Sequence, residues 1–281
     1  MISLDFSSVN KLETVSLSET ERVKLLDRME IKYVFTLDKL NKIFDCISKE
    51  YYILSTCQTA YGRYENYYFD TENFNLYLDH HNGKLNRFKV RLRHYIETDN
   101  FFFEVKMKTN KGRTIKSRVE IPPFDKSLGC IKNVVTKESV ELLKPTSYSF
   151  EMLNQCLQIN YSRITLINKH CAERITLDLD LTYISPNLVK KFDQLVVAEV
   201  KQPRLSTSPF TLLMHSMHIR PLSVSKYCLG IASLYTSVKI NNFKRKLLYV
   251  NKLCNITHIQ SDDDRTFNDD INSNARISGN S

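Results

Sequence analysis

Between Asn86 and Ile121 the chain repeats one pattern three times, and that repetition restricts the fold more than any other stretch. Arg87–Tyr95 (RFKVRLRHY), Asn100–Thr109 (NFFFEVKMKT) and Thr114–Ile121 (TIKSRVEI) each alternate at period two, the mark of a strand with two unlike faces. Lys89, Arg91 and Arg93 share one side of the first strand, opposite Val90 and Leu92. Glu104, Lys106 and Lys108 share a side of the second. Thr114, Lys116, Arg118 and Glu120 share a side of the third, unless a slip of one residue exchanges its faces. A single strand of this kind is an ordinary face in water. Several neighbours point to a common charged surface.

The pattern recurs outside this region. Arg28–Phe35 reads as a strand with Arg28, Glu30 and Lys32 on one face and Met29, Ile31, Tyr33 and Phe35 on the other. Tyr61–Phe69, Phe74–Leu78 and Asn160–Ile167 read as strands. In Glu173–Tyr183, Arg174, Thr176, Asp178 and Asp180 face away from Ile175, Leu177, Leu179 and Leu181. In Gln194–Lys201, Glu199 and Lys201 oppose Ala198 and Val200. Helical spacing marks Leu37–Glu50, Lys137–Leu143, Tyr148–Leu157, residues 208–218 and Ser225–Ser237. About eight strands with one apolar and one ionic face predict an α+β fold: a closed antiparallel β-barrel flanked by helices, with a charged, solvated lumen. A dry core would cost several kcal/mol for each unpaired ion.

Charge narrows the partners. Forty Lys and Arg against 31 Asp and Glu give a formal charge of +9, which favours nucleic acid, an anionic membrane surface or phosphate compounds. Seven cysteines without a CxxC pair read as reduced structural thiols in a cytoplasmic protein. No apolar run approaches the roughly 18 residues of a membrane span, so neither span nor signal peptide is expected, although a membrane partner stays open. The expected organisation is a flexible N-terminus (1–20), a tunnel domain (21–237), a C-terminal extension (238–257) and a disordered tail (258–281).

Nine short motifs carry a family resemblance: RMEIKY at 28–33, YYFDT at 67–71, KVRLR at 89–93, FEVK at 103–106, TIKSR at 114–118, SRITL at 162–166, ERITLDLD at 173–180, AEVK at 198–201 and SKY at 225–227. In order and spacing they resemble the VTC domain of the triphosphate tunnel metalloenzyme, or CYTH-like, superfamily. The superfamily's first-strand ExExK is incomplete, with Arg28 in the first Glu position and Glu30 and Lys32 retained. The resemblance implies a polyphosphate polymerase that moves the γ-phosphoryl group of ATP onto a growing inorganic polyphosphate chain, with Mn²⁺ or Mg²⁺. By motif position it makes Lys32, Arg91, Arg93, Lys106, Lys116, Arg163, Arg174, Lys201 and Lys226 the phosphate-binding lining. It places Ser225 with Lys226 at the phosphate site and Glu199 at the metal; Arg118 is a further candidate for the substrate phosphates, and Glu30 is either a second metal ligand or a structural ion-pair partner.

The residue types suit that chemistry. Arg presents a planar fork of donors to phosphate oxygens and Lys a compact charge. Phosphoryl transfer needs positioning and charge neutralisation more than covalent help. Glu104 and Glu120 are either metal ligands or cross-strand ion-pair partners, and Asp178 and Asp180 read as partners for cations. His80 and His81 read as surface residues, and the Tyr67–Phe69 and Phe101–Phe103 aromatics as packing. A tunnel hydrolase of triphosphate or polyphosphate, and a non-catalytic polyphosphate or nucleotide sensor, remain as alternatives. Nucleic-acid binding is disfavoured, because the aromatics fall mostly on the apolar side.

Overall fold

The computed structural model describes residues 9, 11–16, 18–19, 29–55, 59–123, 135–204 and 206–254. Arg28, most of the N-terminal segment and nearly all of the C-terminal tail lie outside the described residues. The strands are β1 (Thr14–Val15), β2 (Met29–Thr36), β3 (Tyr51–Leu54), β4 (Gly62–Asp70), β5 (Arg87–Tyr95), β6 (Asn100–Lys108), β7 (Thr114–Ile121), β8 (Asn154–Asn168), β9 (Arg174–Ile184), β10 (Val189–Phe192) and β11 (Leu195–Gln202). The α helices are α1 (Leu40–Ile47), α2 (Asn75–His81), α3 (Lys137–Leu143), α4 (Pro209–Ser216), α5 (Lys226–Leu234) and α6 (Asn241–Leu253). No described helix is long and apolar enough to cross a membrane.

The main path of the sheet runs β2-β11-β9-β8-β4-β5-β6-β7, and every neighbouring pair along it is antiparallel. Among the described residues the end strands β2 and β7 do not pair with each other, so the sheet is open and curled there and the closed barrel expected from the sequence is not confirmed. The sheet also forks twice. β9 pairs with β11 through residues 174–178 and with β10 through residues 181–184. β8 likewise gives its far end to β3, which β1 joins in parallel. At the fork in β9, Asp180 adopts a left-handed conformation (φ 55°) and the register slips opposite Tyr161. The extra residue is a β-bulge, which bends the strand and changes which side chains point inward.

Three apolar clusters hold the sheet. One covers the outer face of β2, β11, β9 and β8 with α1 and α4, through Phe35, Ile43, Phe44, Leu177, Ala198 and Phe210. A second covers the outer face of β4, β5 and β6, through Phe69, Val90, Leu92, Phe103 and Phe150. The third lies at one end of the concave side, where Val34, Leu181, Tyr183, Phe192 and Val197 meet α5 and α6. It plugs that end with helix.

Two predicted elements take another form. Phe74–Leu78 is not a strand but the start of α2. Asp70 at the end of β4 accepts from the backbone N–H groups of Thr71 (2.7 Å), Leu76 (2.8 Å) and Tyr77 (2.9 Å), and Thr71 Oγ1 accepts from Asn75 N (3.0 Å). These acceptors satisfy amides that a helix start leaves orphaned, and α2 buries Leu76 and Tyr77. Tyr148–Leu157 is not a helix either. A single 3₁₀ turn (Phe150–Met152) leads into β8, because Asn154–Leu157 pairs with the end of β4.

Candidate functional site

The strand register sets the ionic residues beside one another. Glu199 of β11 lies opposite Lys32 of β2 and opposite Thr176 of β9. Thr176 lies opposite Thr165 of β8, and Asp178 opposite Arg163. Further along, Tyr64 faces Tyr161, Tyr68 faces Arg91, Arg91 faces Glu104 and Glu104 faces Arg118. Lys106 is flanked by Lys89 and Lys116. The intervening residues of these strands belong largely to the two outer clusters, so the ionic side is the inner one.

This inner side is concave. β6 is five strands from β11 along the main path, about 24 Å in a flat sheet at ~4.8 Å per strand. Yet Lys106 of β6 feels the charge of Glu199 of β11, and Lys32 of β2 feels Lys89 of β5. Lys89 Nζ donates to Ser225 Oγ at 2.9 Å, joining β5 to the N-terminus of α5. Lys226, the first residue of α5, pairs with Asp178 and lies 5.3 Å from the Tyr161 ring centroid. The cations of separate strands therefore converge, as the alternation predicted.

Carboxylates are interleaved with them. Glu104, fully buried, receives Arg91 Nε at 2.7 Å and pairs with Lys116. Asp178, fully buried, receives Arg163 Nε at 2.5 Å and Nη2 at 2.8 Å in a bidentate fork. Glu199 lies 2.7 Å from Lys201 Nζ and 3.6 Å from Lys32 Nζ, and Glu30 also contacts Lys32. Burial would raise these carboxyl pKa values, but the cations outweigh it. Asp178 falls to about 2 under Arg163 and Lys226, Glu104 falls well below the carboxylate range under Arg91, Arg93 and Lys116, and Glu199 does so under Lys201, Lys32, Lys226 and Arg163.

The cations are stressed in the opposite sense. Burial, reinforced by Lys226, Lys201 and Lys89, lowers Lys32 to about 8 against the pull of Glu199. Burial likewise lowers Lys116 to about 8, with Arg91 and Arg93 adding to the shift and Glu104 opposing it. Lys106 is pushed well below the usual lysine range, chiefly by Arg91, then by burial and Arg93. Lys106 has no ion pair with a described residue. Arg93 is 6 % exposed, and its hydrogen bonds go to neutral partners, Asn66 Oδ1 at 2.9 Å and Tyr161 OH at 3.0 Å.

Several residues of the inner face escaped the sequence reading. Tyr64, Tyr68 and Tyr161 stand among the cations rather than in apolar packing alone. Arg163 lies 5.2 Å from the centroids of both Tyr64 and Tyr161, and Arg93 5.3 Å from that of Tyr64. Tyr68 OH accepts from Arg91 Nη1 at 3.0 Å. The signal was available: Tyr64, Asn66 and Tyr68 alternate on one side of β4. Asp180 leaves the face that it was predicted to share with Asp178, because its bulge turns it out to an exposed position. Glu120 accepts from Asn100 Nδ2 at 2.7 Å, and Arg118, exposed on β7, lies 4.7 Å from the Phe102 ring centroid. His80 and His81 are not surface residues. His80 accepts from Arg87 Nε at 3.0 Å, and His81 is 7 % exposed and packs on Phe243 of α6. Arg174 lies across from Lys201, which in turn lies across from Glu30, at the end of the concavity away from the helix plug.

The described residues contain no cluster of three or more His, Cys, Asp or Glu able to hold a metal. Glu30 and Glu199 nevertheless converge on one cationic point, the Lys32 ammonium. A hard divalent ion accepts one or two carboxylates completed by phosphate oxygens, so this donor set fits an ion that arrives with a phosphate substrate.

The family model of the VTC domain matches residues 27–235. No curated protein sequence matches the chain significantly. Among solved structures, an adenylate cyclase candidate from Bacillus halodurans is 14 % identical, with a TM-score of 0.47 over 75 % of this chain and 100 % of that one. An adenylyl cyclase candidate from Hippeastrum, described as having a dominant triphosphatase activity, is 12 % identical, with a TM-score of 0.47 over 73 % of this chain and 96 % of that one. The match across residues 27–235 takes in every strand of the main path, and the chain belongs to the VTC domain family.

Proposed function

We propose that the chain is a polyphosphate polymerase, transferring the γ-phosphoryl group of ATP to a growing inorganic polyphosphate chain held along the concave face. The observation that carries this reading is the excess of cations on the concave face: Arg93 and Lys106 stand beside Arg91 and Lys116, and among the described residues neither makes a direct ion pair with a carboxylate. A buried charge without a counter-ion costs several kcal/mol, and a linear polyanion laid along the face removes that cost. Lys32, Arg91, Lys116, Arg163, Lys201 and Lys226 hold carboxylates for which a phosphate chain can compete.

The division of labour follows from position. Arg91, Arg93 and Arg163 offer forks of donors to non-bridging oxygens, while Lys32, Lys106, Lys116, Lys201 and Lys226 neutralise charge between them. Lys89 and Ser225 join the N-terminus of α5 to this lining. A terminal phosphate oxygen of the chain attacks the γ-phosphorus, the bond from γ-phosphorus to the β,γ-bridging oxygen breaks, and ADP leaves. The acceptor is already anionic, so no general base is required of the protein. Glu199 and Glu30 would hold the divalent ion, Mn²⁺ or Mg²⁺, which when bound supplies charge neutralisation to the phosphates.

Purified protein with ATP and Mn²⁺ tests the reading. The expected outcome is ADP together with long phosphate chains on a stained gel. ADP with equimolar orthophosphate and no polymer would overturn it in favour of a hydrolase.

A further inference from the structure

Within the concave wall one row departs from the ionic pattern. The row across four strands reads Lys32, Glu199, Thr176, Thr165, so two hydroxyls follow a cation and a carboxylate. Thr176 is 2 % exposed and Thr165 6 %. Thr176 Oγ1 has no hydrogen-bond partner among the described residues. Its neighbours along β9, Ile175 and Leu177, belong to the outer cluster, so its own side chain is directed to the concave side. Thr165 and Arg163 line a cavity with Tyr64 and Arg174 at the end of the concavity away from the helix plug. An orphaned buried hydroxyl is destabilising, and such a group needs a reason to be there. Val would fill the same space without that cost.

We infer that the Thr176 hydroxyl is a phosphate-contacting group, donating a hydrogen bond to a non-bridging oxygen of the phosphate chain between Glu199 and Arg163. This rests on the reading of the concave face as a phosphate-chain site. The residue supplies a neutral contact where another cation would be crowded by Lys32, Lys201, Arg163 and Arg174. In the free protein the donor waits unsatisfied, and phosphate satisfies it.

Inorganic tripolyphosphate, titrated calorimetrically without metal or turnover, tests the inference on the full chain. Thr176→Val should bind about tenfold more weakly than wild type, as expected for one lost hydrogen bond to a charged acceptor. Its thermal midpoint without ligand should be unchanged or higher, because the orphaned hydroxyl is gone. Thr176→Ser, which keeps the hydroxyl, should stay within about threefold of wild type. Tight wild-type binding with equal binding by Thr176→Val overturns this inference and leaves the phosphate reading standing. A Val variant whose unliganded midpoint falls with its affinity overturns it too, since packing then explains the loss. Failure of wild type to bind tripolyphosphate overturns both.

Discussion

Polyanion binding should draw protons into the protein, and Lys32 allows the amount to be worked out. In the free protein its pKa is about 8, lowered first by burial and then by Lys226, Lys201 and Lys89. At pH 7, 8 and 9 such a group is about 90, 50 and 10 % protonated. A phosphate chain against the ammonium restores the charged form. Binding therefore takes up about 0.1, 0.5 and 0.9 proton at Lys32 at these three pH values. Lys116, also near 8, adds a similar amount. The bound state holds more protons than the free state, so affinity must fall as pH rises through 8. Tripolyphosphate titrates in this range as well, so the clean comparison is with Lys32→Arg, which stays charged throughout. Calorimetric titration at pH 8 in two buffers of different ionisation heat counts the protons. Wild type should take up about half a proton more than Lys32→Arg. Equal uptake by the two proteins, or a difference that does not grow from pH 7 to 9, would refute the idea that Lys32 faces a crowded cationic lining.

Three further outcomes are expected. Glu104→Gln leaves Arg91 and Lys116 without their buried counter-charge and should cost about 3 kcal/mol in urea unfolding. In wild type this carboxyl sits below its unfolded pKa, so its contribution is present above about pH 4 and is lost as pH falls further; the variant should lack that acid sensitivity. Gly230→Ala places a Cβ 2.6 Å from Leu157 Cδ2 and 2.8 Å from Tyr183 Cδ1, inside the plug under α5. Overpacking of about 1–3 kcal/mol should outweigh the helix-propensity gain of about 1 kcal/mol, and a melting temperature at or above wild type would show that the plug is loose. Glu199→Gln should keep tripolyphosphate binding and lose turnover with ATP and Mn²⁺, whereas loss of both together would argue against a separate metal role for this carboxylate.

The inner face was legible because alternation survives in the letters. Lys89, Arg91 and Arg93, or Glu199 and Lys201, can take one side of a strand in only one register. Elsewhere the decisive partner was distant. Phe74, Leu76 and Leu78 alternate like a strand, but Asp70 supplies the capping acceptors and a helix forms. Asn154–Leu157 looked helical until β4 claimed its backbone. Asp180 shares the period of Asp178, and only the bulge opposite Tyr161 shows that it turns away. The open seam between β2 and β7 leaves no trace in either strand, since pairing of sheet ends is a property of the whole curl. α6 was missed because its buried stripe, Leu247, Val250 and Asn251, is narrow and set among lysines.

A crystal structure with inorganic tripolyphosphate tests the central claim most directly, namely that cations from opposite ends of one curled sheet form a single phosphate site. The account predicts a phosphate chain along the concave face, within hydrogen-bonding distance of Arg91, Arg93 and Arg163, with Lys106 among its counter-ions. A chain bound on the outer surface, with Arg93 still held only by Asn66 and Tyr161, would contradict it.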